Sequence, residues 1–319
     1  MIELPNDPGK INFIVAVHVN FANVLTGGVV AMHRLAYMLA ERGHNVFMFT
    51  HPEYPHPNIK VINSWKTSTH GFVEFYAWDQ FSFLYKNTVV IYPQIARGNP
   101  VGAAHVVRWL LYDTEKLLED AYGENDVYAN FGNFKSYRNV EHLPLTTFNY
   151  YMDKLYITNT GKRKGFCHMY HKHTPPGGEN LINQLSSMDL TGWKTLGNYD
   201  YLREHFNQYE YMLTYDQKSF YTVAAGLCGC KSIILNPGQS YEFAPNANSD
   251  SEDYKKILTP EEYRERNPIQ RYGVAYGFDD IHWANTTIGQ VTDHIKELER
   301  RDTETVDNFV KYWENKIFA

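Results

Sequence analysis

Residues 10–50 constrain this chain most, because they spell a strand, a Gly-Gly turn, an amphipathic helix and a second strand in that order. Residues 11–18 (INFIVAVH) form a short apolar run rich in β-branched side chains, the pattern of a strand buried on both faces. Thr26, Gly27 and Gly28 then open a helix. Met32, Leu35, Ala36 and Leu39 fall at i, i+3, i+4 and i+7, which makes one apolar stripe, while Arg34 and Glu41 lie off it. Gly43 stands where a helix C-terminus calls for a left-handed residue, and residues 45–50 (NVFMFT) read as the next buried strand. A strand, a Gly-rich turn and a helix N-terminus bring unpaired N–H groups to one point, and such a point attracts phosphate. There is no GxGxxG and no GxxxxGK[ST], so the turn alone establishes a βαβ unit and not a nucleotide fingerprint.

The remaining chain repeats this alternation. Residues 58–64 read as a strand, 72–85 as an aromatic-rich helix, 87–92 (NTVVIY) as a buried strand and 94–102 (QIARGNPVG) as a loop. Residues 104–112 and 126–130 are further strands. The polar, Gly-containing stretch 155–164 marks a boundary, after which a second series starts. Its expected strands are 165–170, 193–196, 211–214 and 231–235, the last stopped by Asn236-Pro237-Gly238. Its expected helices are 179–188, 199–208 and 219–227, with 286–300 and 303–317 as two closing helices. Two tandem α/β domains with mostly parallel sheets follow, the first over 1–158 and the second over 159–319, with terminal helices that pack back on the first. The length of 319 residues suits two domains of about 150.

Composition excludes several classes. A net charge of −6 argues against a broad nucleic-acid surface. No run of 18 apolar residues spans a membrane, and MIELPNDPGK carries no apolar signal segment. Three cysteines, Cys167, Cys228 and Cys230, are too few and odd in number for a disulfide framework. The expectation is a soluble cytoplasmic protein, with room for peripheral membrane contact. The 25 Tyr, 18 Phe and 6 Trp suit stacking on bases or sugars as well as cores.

GGVVAMHRLAYMLAERGHNVFMFT resembles the N-terminal signature of glycosyltransferases with the GT-B architecture, two Rossmann-like domains with parallel sheets facing across a cleft. VVIYPQIARGNPVGAAHVVRWLLY, RKGFCHMYHK, TYDQKSFYTVAAGLCGCKSIIL and YGVAYGFDDIHWANTT resemble a bacterial and large-DNA-virus subgroup involved in surface glycan synthesis. The resemblance implies transfer of a sugar from a nucleotide-diphosphate donor, held by the C-terminal domain, to a glycan or lipid-linked acceptor, without metal or other cofactor. A GT-B-like sugar-nucleotide epimerase and a catalytically silent sugar- or nucleotide-binding protein are the alternatives. Two departures stand out. Gln94 occupies a position where the subgroup has Glu, and Asp216 with the 219–222 turn replaces the Glu-x7-Glu of many retaining members.

Candidate residues follow from chemistry at strand ends and helix starts. Lys172 follows a strand at its carboxyl end, where a diphosphate would sit. Gly27, Gly28, Tyr215, Asp216, Ser219, Tyr221 and Thr222 complete the expected donor site, the last three offering hydroxyls or N–H groups at a helix start. Asp216 and Ser219 are equally ordinary helix caps. His18 ends the first strand and is the candidate general base or sugar ligand. Gln94, Arg97, Asn99 and Arg108 are the expected acceptor or sugar contacts. Arg108, inside an apolar strand, needs a counter-ion or a cleft. His168, His171 and His173 beside Cys167 lack a partner cluster with zinc spacing, so no metal site is expected.

Overall fold

The computed structural model describes residues 4–17, 27–50, 73–75, 85–111, 119–132, 134, 136–148, 150–170, 178–192, 198–217, 219–235 and 258–319. His18 and Lys172, and the expected strands 58–64 and 193–196, lie outside them. The chain divides into two compact units, one of Met1–Asn149 with Glu299–Ala319 and one of Tyr150–Leu298.

The first unit holds β1 (Asn12–Val17), α1 (Gly27–Glu41), β2 (Asn45–Thr50), β3 (Val73–Phe75), β4 (Thr88–Pro93), β5 (His105–Leu110), β6 (Val127–Asn130) and β7 (His142–Pro144). All described pairings are parallel, in the order β3-β2-β1-β4-β5-β6-β7. Both faces are covered, which is why β1 and β4 read as unbroken apolar runs. Phe13, Val15 and Val17 pack with Met32, Leu35, Ala36 and Leu39 of α1, all buried as the stripe requires. Ile14 and Ala16 face the other way, toward Val90, Tyr92 and Ala96. Gly43 has φ +84, the left-handed stop that ends α1.

The second unit holds β8 (Phe166–His168), α2 (Gly178–Gln184), β9 (Met188–Asp189), α3 (Tyr199–Gln208), β10 (Tyr211–Thr214), α4 (Phe220–Leu227), β11 (Lys231–Ile234), α5 (Pro260–Arg266), β12 (Val274–Tyr276) and α6 (Ile281–Thr287). Its sheet is parallel in the order β12-β11-β10-β8-β9. Caps set its helix starts: Asn198 accepts from Tyr201 N, Ser219 from Tyr221 N, and Thr259 forms a capping box with Glu262. A methyl on Gly226 of α4 would stand 3.1 Å from Val291, so glycine permits that close approach.

Three expectations are corrected. Residues 73–75 are not helical; they extend the sheet beyond β2, Phe47 pairing with Val73. The helix expected over 179–188 stops at Gln184, Ser186 turns with φ +48, and Met188–Asp189 pair with β8. The two closing helices are one, α7 (Val291–Phe318), of 28 residues. Asp302 and Thr303 resemble a helix start, but Asp302 instead accepts from Phe148 N (3.0 Å) and Thr303 Oγ1 donates back to the Glu299 carbonyl (3.0 Å). With no Gly or Pro between 291 and 318, nothing interrupts the helix.

Candidate functional site

Among the described strands, each sheet has one place where the order reverses. In the first, the chain leaves β1 toward β2 and β3, then returns to β4 on the other side of β1. In the second, it leaves β8 toward β9 and returns to β10. The carboxyl ends at such reversals diverge, and ligands of open parallel sheets bind there. Of the expected site residues that are described, Gln94 follows β4 at the first reversal, and Tyr215, Asp216 and Ser219 follow β10 at the second.

In the first unit, Gln94 follows β4. Its N–H donates to the Trp109 carbonyl (3.1 Å) and its Oε1 accepts from Leu111 N (3.1 Å). The Tyr122 hydroxyl donates to the Gln94 carbonyl. Gln94 therefore stitches the ends of β4 and β5, using the acceptor function that a Glu would share. Its Nε2 makes no hydrogen bond among the described residues. A methyl on Gly28 would rest 3.5 Å from Leu111, so α1 begins against the same strand end, in ordinary contact.

Arg97 is exposed and without a partner among the described residues. Arg108 is fully buried: Nε meets Asp126 Oδ2 at 2.6 Å, Nη1 donates to the Ala96 carbonyl (3.0 Å) and Nη2 to that of Gly98. The guanidinium lies between the rings of Tyr92 (5.0 Å) and Tyr122 (4.6 Å). It thus grips the carbonyls on either side of Arg97, and it holds the loop in place of contacting ligand. Asn99 is likewise engaged. Its Oδ1 accepts from the Tyr92 hydroxyl (3.2 Å) and Gly102 N (3.1 Å), and its Nδ2 donates to the Ala103 carbonyl (2.8 Å). Of the four expected acceptor contacts, Gln94, Arg97 and the exposed Asn99 each keep an N–H with no partner among the described residues, while Arg108 is fully buried and engaged by the loop.

In the second unit, Tyr170 follows β8 and Tyr215 follows β10, their rings edge to face at 6.2 Å. Asp216 is buried, its N–H donating to Thr214 Oγ1 (3.0 Å). Burial, then the Asp216 charge, pushes the Tyr221 phenol up to about 12, so it stays protonated and a donor at neutral pH. Ser219 is the N-cap, its Oγ accepting from Tyr221 N (3.2 Å). Thr222 is closed to ligands. It is buried, its Oγ1 donates to the Ser219 carbonyl (2.7 Å), and it accepts from Gln270 Nε2 (2.8 Å).

Both ring nitrogens of His168 are occupied, Nδ1 by Ser187 Oγ (2.8 Å) and Nε2 by Asp189 (3.1 Å). The three cysteines are free and buried, and burial pushes the Cys228 thiol up to about 12, away from the thiolate a metal needs. Among the described residues no group of His, Cys, Asp and Glu is arranged to hold a metal ion.

Residues missed in the sequence also gather here. Tyr151, in the left-handed region at φ +53, stacks on Tyr199 (4.1 Å) and meets Phe220, the first residue of α4, at 5.8 Å. Lys154 lies over both tyrosines, at 5.7 and 5.1 Å. Gln270 reaches the same helix start from 48 residues away. The excess of tyrosine was the one hint of this cluster, and no local pattern marks Gln270.

No family model matches the chain, and no curated protein matches it. Among solved structures it is similar to a glycosyltransferase from Rickettsia africae ESF-5, at 10% identity and TM-score 0.45 over 96% of each chain. It is also similar to CalG4, the calicheamicin glycosyltransferase, at 10% identity and TM-score 0.44 over 98% of this chain and 100% of that one. The glycosyltransferase VinC, solved in complex with dTDP, matches at 11% identity and TM-score 0.37 over 96% of each. Among the described residues no helix is long and apolar enough to cross a membrane.

Proposed function

We propose that this chain is a GT-B glycosyltransferase that moves a sugar from a nucleoside-diphosphate donor to a hydroxyl of a glycan or lipid-linked acceptor. The observation that carries the reading is the fall of candidate residues at the reversal points of two parallel sheets, Gln94 in one and Tyr215, Asp216 and Ser219 in the other. The five sequence blocks that resemble the family are its second support.

The donor belongs to the second unit. Ser219 and the start of α4, with Lys172, face the diphosphate and stabilise the charge that grows on it as the sugar leaves. The acceptor belongs to the first unit, near Gln94 and Arg97. The acceptor oxygen forms a bond to the anomeric carbon, the bond from that carbon to the diphosphate breaks, and the acceptor proton passes to His18. No metal takes part in this reading, and the protein works in the cytoplasm. Gln94 in place of a carboxylate favours one rival, a silent binding protein, which would hold the donor without turning it over.

The test is a panel of UDP-, GDP- and dTDP-sugars read first by thermal shift and then by acceptor-dependent release of nucleoside diphosphate, with and without EDTA. A ligand at 100 times its dissociation constant stabilises by about 2.7 kcal/mol. Stabilisation with acceptor-dependent release is the expected result. Stabilisation without release supports the silent binder. No stabilisation by any donor overturns the reading.

A further inference from the structure

Gln270 ends the turn Pro268–Gln270, which His294 Nε2 ties at the Pro268 carbonyl (2.6 Å). The residue is 3% exposed. Nε2 donates to the Ser219 carbonyl (3.1 Å) and to Thr222 Oγ1 (2.8 Å), while Oε1 is buried with no hydrogen-bond partner among the described residues. The orientation follows from the network. The Thr222 proton is already given to the Ser219 carbonyl, and turning the amide over would set Oε1 against that carbonyl, two acceptors facing each other.

A buried amide satisfied on one side only is a poor choice for stability. Neither of its partners needs it: the Ser219 carbonyl also accepts from Thr222 Oγ1 and Thr222 N (3.4 Å), and Thr222 Oγ1 has that carbonyl to donate to. An apolar side chain of the same length would leave no group orphaned and would remove the unpaired Oε1. What only the amide supplies is an anchor to the 268–270 turn: it holds the Ser219 carbonyl and the Thr222 hydroxyl, already bonded to each other, in one place relative to that turn, and hence sets the direction of the N–H groups at the start of α4.

We propose that Gln270 is a positioning residue for the donor, holding the first turn of α4 in the geometry that receives the diphosphate. This rests on the functional reading above and adds a residue to it. Stability and function then pull in opposite directions at this position.

Gln270→Met is the test, with Gln270→Leu beside it in case one variant packs badly. Melting temperature is measured without ligand, and affinity is measured for UDP, GDP, dTDP and inorganic pyrophosphate. The expected result is a melting temperature equal to or above that of the wild type, with affinity for pyrophosphate and for the best nucleotide weakened about 5- to 10-fold. Unchanged affinity overturns the proposal. A parallel fall in melting temperature and affinity in both variants also overturns it, because that is the signature of a purely structural residue. If the wild type binds none of the four probes, the donor-site reading fails first and the positioning role with it.

Discussion

Arg108 and Gln270 perform the same act in different units. Each is a buried side chain that reaches two oxygen atoms of the segment following a strand, Arg108 at the Ala96 and Gly98 carbonyls and Gln270 at the Ser219 carbonyl and Thr222 hydroxyl. They differ in charge and in completeness. Arg108 carries a full charge, has Asp126 as counter-ion and lies between two tyrosine rings. Gln270 is neutral, and its Oε1 has no partner among the described residues. A charged clamp makes its loop part of the core, since removing it strands a buried carboxylate. A neutral, half-paired clamp can be lost with little damage to the fold, so any effect of its loss appears at the site.

The largest expected effect breaks the charged clamp. Arg108→Met leaves Asp126, whose side chain is 8% exposed, without its partner and should destabilise by about 3–5 kcal/mol. Adding Asp126→Asn should recover part of that, and urea midpoints of the two variants measure it. A single-variant loss below about 1 kcal/mol would remove the contrast with Gln270.

The next effect asks whether ionisation governs the first unit generally. Burial, reinforced by Glu299, raises the Asp302 carboxyl from 3.8 to about 7 against the opposing pull of the Phe148 N–H and Arg34. The native state thus holds a proton that the unfolded chain has released between these values. Stability contributed by this group is full below pH about 4 and is lost as pH rises through about 7. Asp302→Asn keeps an acceptor for Phe148 and should stabilise at pH 8 by on the order of 3 kcal/mol, with little change at pH 4. His33 runs the other way. Burial lowers it from 6.5 to about 4, so its contribution is full above about 6.5 and is lost as pH falls through about 4. Denaturation of wild type and Asp302→Asn across pH 4–8 separates the two, and parallel profiles would refute the assignment to Asp302.

A smaller effect probes the neutral clamp from its other end. Thr222→Val deletes the hydroxyl that Gln270 donates to and should cost about 1 kcal/mol, far less than Arg108→Met. A cost matching Arg108→Met, read from urea midpoints, would make the two clamps equivalent. The smallest effect has the opposite sign. Gly28 does not have a positive φ, and among the described residues an added methyl would meet Leu111 at 3.5 Å, an ordinary contact. Gly28→Ala should therefore stabilise by about 0.5–1 kcal/mol. A loss of nucleotide or acceptor affinity in that variant, measured by calorimetry, would show that the helix start needs bare backbone for a ligand.

The sequence by itself determined the parts whose signal is local. Apolar runs and the stripe of Met32, Leu35, Ala36 and Leu39 specify β1, α1 and β2, because burial on a strand or helix face imposes a period that can be read directly. Ser219 as a helix cap and Gly43 as a helix stop are legible for the same reason. Only the tertiary structure decided the rest. The edge strands at 73–75 and 188–189 are too short for a period of their own and exist because a neighbouring strand offers hydrogen bonds. The break expected between 300 and 303 is absent: Phe148, 154 residues away, donates to the Asp302 carboxylate, and α7 runs through. Arg108 found Asp126, and Gln270 found the start of α4, through chain separations of 18 and 48 residues. A buried polar side chain must be paired, but its partner is whichever group the packed fold brings within reach, and no local pattern of residues encodes that choice.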